Sequence, residues 1–346
     1  MKKRPFFILF IAAMIISPPA FTQQAANQAL LDELNTAIAR TDEARKKAGD
    51  FASDSYFPGE WEAAGEQYSR AAQFPRNNAD DVRNAIDAYK TAADSFDSVS
   101  ALAIPLYAQA REDEIMEIRN YLIAEMAKEY FPEYFVPADE TALLALDKYE
   151  AGDYYPARQS AEKALGMYRC MAIAYDAWMI RWEIEEREFE YHDLDGYERA
   201  GEILAGAMDA YNEGDIPTAS ENAEEALLRF NLIISAGWAE YAETHSSIAE
   251  SEHQAALNMK TNIAAREFFI IAEHIRQEAQ ELLEAEEYEE AAKLFVNSEA
   301  MYVIAAMSAT EKRRIAAETI RQALNKIEES YRMAREAEII LEGGLQ

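Results

Sequence analysis

The sequence predicts an all-α protein: an array of helical hairpins with long intervening helices and a capping helix at each end. Three observations predict it. Good helix formers, chiefly alanine, glutamate and leucine, dominate the 346 residues, whereas glycine (12) and proline (10) are few. No stretch alternates polar and apolar residues long enough to propose a sheet. One pattern also returns four times, anchored on Ala85, Ala157, Ala219 and Ala291, at steps of 72, 62 and 72 residues. Self-similarity on that scale belongs to stacked helical units, each too small to bury its apolar face alone.

Taken in order, the breakers set the helix ends. Pro58-Gly59, Pro75 to Asn78, Pro105, Pro132 to Pro137, Gly152-Asp153, Asp193 to Gly196, Gly214-Asp215 and Gly343-Gly344 interrupt otherwise helical sequence. They predict helices near 25–53, 59–73, 80–99, 106–130, 139–151, 154–190, 195–213, 216–243, 246–260, 262–286, 288–309 and 311–342. The first carries Leu30, Leu31, Leu34 and Ile38; the last carries Ile320, Leu324, Ile327, Tyr331, Ala334 and Leu341. One apolar stripe opposite a charged face is what a terminal cap requires. A coiled-coil partner is the other use of such a stripe. Two phrases put Tyr-Phe-Pro where a helix ends and follow it with large rings: Tyr56 to Trp61, and Tyr130 to Phe135. The proline blocks continuation and the rings plug the corner between helix pairs; lining a groove for an apolar or carbohydrate ligand is the alternative.

Within a copy the spacing has a physical reading. Ala157, Ala161 and Ala164 fall on one helical face, as do Ala219, Ala223 and Ala226. The same slots elsewhere hold Ala85, Tyr89 and Ala92, or Ala291, Phe295 and Ser298. Small residues there let another helix approach closely. An aromatic follows four residues later each time: Phe96, Tyr168, Phe230 and Tyr302. Gly152 and Gly214 sit where a preceding helix must stop, so the unit reads helix, tight turn, helix. These residues resemble the tetratricopeptide repeat over its turn and second helix: Gly152, Tyr154, Ala157, Ala161 and Ala164 match its pattern, and Leu144-Ala145 match its first helix. The second full copy has Ile216 in place of the tyrosine; the last has Tyr288 but Glu286 for the glycine. The steps are about twice the family's length, and its closing proline is missing. The resemblance implies a solenoid with repeat cores near 61–98, 139–172, 197–232 and 270–305, and partner contacts at the turns. On that reading the candidate binding residues are Tyr154, Tyr155, Tyr288, Trp61 and Tyr134.

Residues 1–22 have the form of a signal peptide: Lys2, Lys3 and Arg4, an apolar run from Phe6 to Ile16, then a break at Ser17 to Ala20. The remainder, 23–346, is expected to be a single helical repeat domain, exported and periplasmic, with no stable membrane insertion once the signal is cleaved. The chain carries 33 basic and 64 acidic residues, a net charge of −31. That balance excludes nucleic acid and anionic lipid as partners, because both demand positive charge. Most of the carboxylates read as solvated helix faces. The single cysteine, Cys170, has no internal partner and follows an aromatic on an apolar face, so a packed thiol is expected. Trp178 and Trp182, four apart, read as core. No phosphate-binding loop, dinucleotide fingerprint or nucleophile elbow occurs. His192, His245, His253 and His274 are scattered, and Glu250-x-x-His253 lacks the second pair a di-iron bundle needs. We therefore expect no catalytic residue, no metal and no cofactor. The expected function is a non-enzymatic scaffold or adaptor that binds an envelope protein or peptide. The alternative is a carrier of a small apolar ligand, or the helical companion of a periplasmic solute-uptake system. The oligomeric state is open.

Overall fold

The computed structural model describes residues 19–343, with side chains from 28 to 339. The expected signal segment lies outside these residues except for its last four. Among the described residues every regular element is helical. In chain order they are α1 (Pro19–Asp50), α2 (Ser53–Tyr56), α3 (Pro58–Gln73), α4 (Ala79–Ala124), α5 (Ala127–Tyr130), α6 (Pro132–Glu150), α7 (Tyr154–Glu186), a 3-10 turn (Phe189–His192), α8 (Leu194–Glu213), α9 (Ile216–Asn258), α10 (Thr261–Ala264), α11 (Arg266–Glu284) and α12 (Tyr288–Gly343). The chain forms two compact units that meet in sequence between Tyr168 and Arg169, inside α7. No helix among the described residues is long and apolar enough to cross a membrane.

Two kinds of turn recur. The first closes a shorter helix tightly. Gly152 and Gly214 take φ of 83° and 81°, and Glu286 takes the same left-handed form at 62°. Each is followed by a six-to-one backbone bond: Asp153 N–H to Lys148 O, Asp215 N–H to Ala210 O, and Glu287 N–H to Leu282 O, at 2.9–3.0 Å. That pattern satisfies carbonyls the helix end leaves orphaned. The second turn closes a long helix. Ala52, Met126, Glu188 and Lys260 adopt positive φ, a single helical turn follows, and one non-helical residue (Phe57, Phe131, Asp193 or Ala265) caps the next helix. Pro58 and Pro132 occupy the first helical position, where a missing N–H costs nothing. Asp193 does the same job by accepting from Gly196 N–H at 3.0 Å. The third and fourth corners carry no proline, and sequence reasoning missed their kinship to the first two.

Several long helices run on where breaks were expected. α4 continues through Pro105, which forfeits one backbone bond. Burial on both sides offsets that loss: Ala103 and Ile104 just before the proline and Tyr107 just after it pack with Phe51, and Ala93 and Phe96 are buried further upstream. α6 begins at Pro132 and carries Pro137 inside it. α9 and α12 are each one helix where two were expected, because neither joint holds a residue that stops a helix. The stretch 311–342, expected to cap the array, is the C-terminal part of α12, and its Ile320, Leu324, Ile327 and Tyr331 are exposed. Trp182, expected in the core, is 50% exposed.

Each hairpin is centred on one edge-on ring pair. In the first unit these are Trp61–Phe96 at 5.3 Å and Phe135–Tyr168 at 6.3 Å between centroids. In the second they are Tyr197–Phe230 at 5.9 Å and Phe269–Tyr302 at 5.8 Å. The ring on the long helix is fully buried in all four, and so are the anchor alanines Ala85, Ala219 and Ala291. Four residues after the first ring of each pair stand Gly65, Asp139, Gly201 and Glu273. The two carboxylates occur where the long helix supplies tyrosine. The Tyr168 hydroxyl donates to Asp139 and the Tyr302 hydroxyl donates to Glu273. The two glycines occur where it supplies Phe96 and Phe230. A buried hydroxyl needs an acceptor and a buried phenyl does not, so the pair of positions changes together.

Candidate functional site

Within the first unit, α4, α6 and the start of α7 leave a groove of about 400 Å³, with Phe51 at the end of α1 against it. Its walls are mostly apolar. Leu143 and Leu146 on α6 and Met116 on α4 are 62%, 48% and 44% exposed, and Ile104, Ile115 and Ala157 lie beneath. Apolar side chains reach this surface because α4 continues past Pro105, and the tight turn at Gly152 brings α7 back beside α6.

The polar part of the groove is built around Tyr107. Its ring is nearly buried, and its hydroxyl donates to Glu162. Burial, then the bond to Glu162, push the phenol's pKa above its ordinary value, so it stays protonated and donating. Two guanidiniums lie over the ring, Arg111 at 5.4 Å and Arg158 at 5.8 Å from its centroid. Arg111 is shared between Glu114 at 3.2 Å and Glu162 at 3.7 Å. Arg158 interacts with the Tyr107 hydroxyl as well as its ring, forms no ion pair among the described residues, and leaves its buried Nε without a hydrogen-bond partner. In chemical terms the groove offers an apolar trough with a positive group ready for a carboxylate or another anion.

Of the residues expected at a binding surface, Tyr154 lines this groove, its ring 5.5 Å from that of Tyr149. Tyr155 stands at its margin, edge-on to Phe51 at 5.5 Å, and its hydroxyl donates to Asp50 at 3.1 Å. Burial and Asp50 push its pKa up to about 12. Trp61 and Tyr134 lie elsewhere in the first unit: Trp61 packs on Phe96, and Tyr134 lies beside Phe131. Tyr288 belongs to the second unit and packs against its core. Tyr107, Arg111 and Arg158 were missed. Their signal was present in the i, i+4 pairs Tyr107/Arg111 and Arg158/Glu162, each an aromatic or acid beside an arginine on one helical face.

Other chemistry-bearing groups sit in structural roles. Burial pushes the Cys170 thiol above its ordinary pKa, which disfavours the reactive thiolate. His253 stacks on Tyr302 at 5.7 Å, 3.4 Å from Glu273 and 3.6 Å from Glu250. Among the described residues no cluster of three or more His, Cys, Asp or Glu is arranged to hold a metal ion.

Fold and site together define an all-helical protein with a ligand-sized apolar groove. Over 227 residues the chain is 22% identical to Treponemal membrane protein A of Treponema phagedenis. The match covers 66% of this chain and 66% of that protein, so the chain spans just under two thirds of its relative's length. No family model matches the chain, and no solved structure does.

Proposed function

We propose that this chain is a non-enzymatic, exported protein of the cell envelope, built from tetratricopeptide-like hairpins, that docks an apolar segment of a partner protein in the groove of its first unit. The Arg158 guanidinium in the wall of an apolar trough, with its buried Nε unpaired, carries the reading, because it adds one directional contact to a surface otherwise selective only for hydrophobicity. The envelope setting is supported by the distant likeness to a treponemal membrane protein and by the signal-like first 22 residues. A partner segment with two or three apolar side chains and a nearby carboxylate fits the site. A photo-crosslinkable residue at position 143 tests this in cells. One dominant envelope protein should be captured, and the charge-reversed Arg158→Glu variant should lose it while keeping its helicity. Equal capture by wild type and variant would remove the groove from the interaction.

A second reading is favoured by the size of the groove. About 400 Å³ lies within the range of small-molecule pockets, ~300–1,000 Å³, so a small apolar acid would also fit. Organic extraction of the purified protein decides between them: a stoichiometric amphiphile, absent from the Arg158→Glu variant, would replace the partner-protein reading.

A further inference from the structure

The C-terminal part of α12 carries an apolar face with no cover among the described residues. Upstream, the same helix buries Phe295, Ser298, Tyr302, Ala305 and Ala309, packing against α9 and α11. The stripe does not stop there. Ile320 lies about five turns beyond Tyr302 and so on the same side of the helix. Leu324, Ile327, Tyr331 and Ala334 follow at alternating steps of four and three. Ile320, Leu324, Ile327 and Tyr331 are each more than half exposed. Among the described residues, Lys312 to Glu267, at 3.7 Å, is the last ion pair that ties this stretch to another helix.

The spacing is that of a coiled-coil seam, in which one helix fits its own copy. Two further observations select the occupant. A fifth hairpin does not fit. Ala249 and Ala256, which α9 buries in the second unit, correspond at the 72-residue step to Arg321 and Glu328. Charges at both places reject the close approach that the alanines allow. The local charge also permits self-association. Residues 311–342 contain seven Lys or Arg and seven Glu, whereas the whole chain carries −31. Two copies that meet along this locally neutral stripe avoid the repulsion that the chain's net negative charge imposes on average.

We propose that α12 pairs through Ile320, Leu324, Ile327, Tyr331 and Ala334 with the same stripe of a second copy of this chain. The assembly brings together at least two copies, each with its own groove, without using the groove surface.

Sedimentation equilibrium of the purified full chain at about 50 μM tests the proposal. Wild type is expected at two or more times the chain mass of 39.1 kDa. Leu324→Asp combined with Ile327→Asp should sediment at the single-chain mass, and so should a chain ending at residue 310. Asn325→Asp, off the seam, should assemble like wild type. Far-UV dichroism of the double variant checks that the two units stay folded. A monomeric wild type, or a double variant or truncated chain that still assembles, overturns the proposal.

Discussion

Removing the Tyr168 hydroxyl tests whether ring and carboxylate are coupled within a hairpin. Tyr168 is fully buried and donates to Asp139, which also receives Arg119 through Nε at 2.8 Å and Nη2 at 3.3 Å. Burial pushes the Asp139 pKa up, but the bonds from Arg119 and Tyr168 outweigh it and hold the carboxyl below its ordinary value. A hydrogen bond to a charged group contributes ~1.5–3 kcal/mol. Asp139 is 33% exposed, so water replaces part of the loss, and Tyr168→Phe should cost about 1–2 kcal/mol. Phe96 and Phe230 show that a phenyl ring fits the equivalent place, so packing is kept. Asp139→Asn removes the carboxylate from both donors and should cost a similar amount. In the double variant the tyrosine bond cannot be lost twice, so the two effects should fall short of additivity by about 1 kcal/mol. Urea unfolding followed by far-UV dichroism measures the cycle, and native-state hydrogen exchange of α6 reports the first unit by itself. Additivity within ~0.3 kcal/mol would refute the coupling and leave the alternation of Tyr/acid with Phe/Gly unexplained.

Three further outcomes follow from particular contacts. A Cβ at Gly237 would stand 2.4 Å from the Phe189 ring, so Gly237→Ala should destabilise the second unit by ~2–3 kcal/mol in the same unfolding assay. Glu286 holds the left-handed position that Gly152 and Gly214 occupy in sister turns, so Glu286→Gly should stabilise the chain by about 1 kcal/mol and raise its melting temperature. The Tyr155 phenol, pushed to about 12, should ionise well after free tyrosine in a 295 nm titration, and Asp50→Asn should move it part of the way back. A raised phenol pKa makes its stabilising contribution complete below pH 10, and that contribution is lost as pH climbs from 10 towards 12.

The sequence told most where local chemistry decides. The turns at Gly152 and Gly214, the corners at Pro58 and Pro132, and the four buried rings were all legible, because a glycine at positive φ, a proline at the first helical position and an aromatic at fixed spacing each have a local cause. Reading failed where packing overrode a local signal. Pro105 reads as a break, yet burial on either side keeps α4 whole. That one misreading hid the groove, since Tyr107 and Arg111 reach Arg158 and Glu162 only if α4 carries them past the proline. Trp182 shares its helical face with Trp178 yet is half exposed, whereas Ile184, two residues on, is fully buried, so the edge of the covered face runs between them, a limit no periodicity reveals.

The substitutions that distinguish one hairpin from its sisters come in matched pairs, and this constrains how the protein can be altered. Seven residues after the buried ring stands Ala103 in the first hairpin and Gly237 in the third; at the first residue past the left-handed corner stand Ser53 and Phe189. The large corner ring and the missing Cβ occur together, as tyrosine and carboxylate do in the second and fourth hairpins. Both partners of each pair lie within one unit, so each pairing is a local one. A consensus hairpin made by averaging the four copies would break these pairs: it could place tyrosine above glycine, or alanine against Phe189. Phe230→Tyr alone should therefore destabilise by about 1–3 kcal/mol, the cost of burying a hydroxyl whose acceptor position is Gly201. Gly201→Asp should recover part of that cost in the double variant, since a Cβ at Gly201 finds its nearest neighbour, the Arg181 guanidinium, at 3.6 Å and so has both room and a counter-charge. Failure of that rescue would mean that the pairing seen in the second and fourth hairpins depends on their other residues, Arg119 and His253, and cannot be moved by two substitutions.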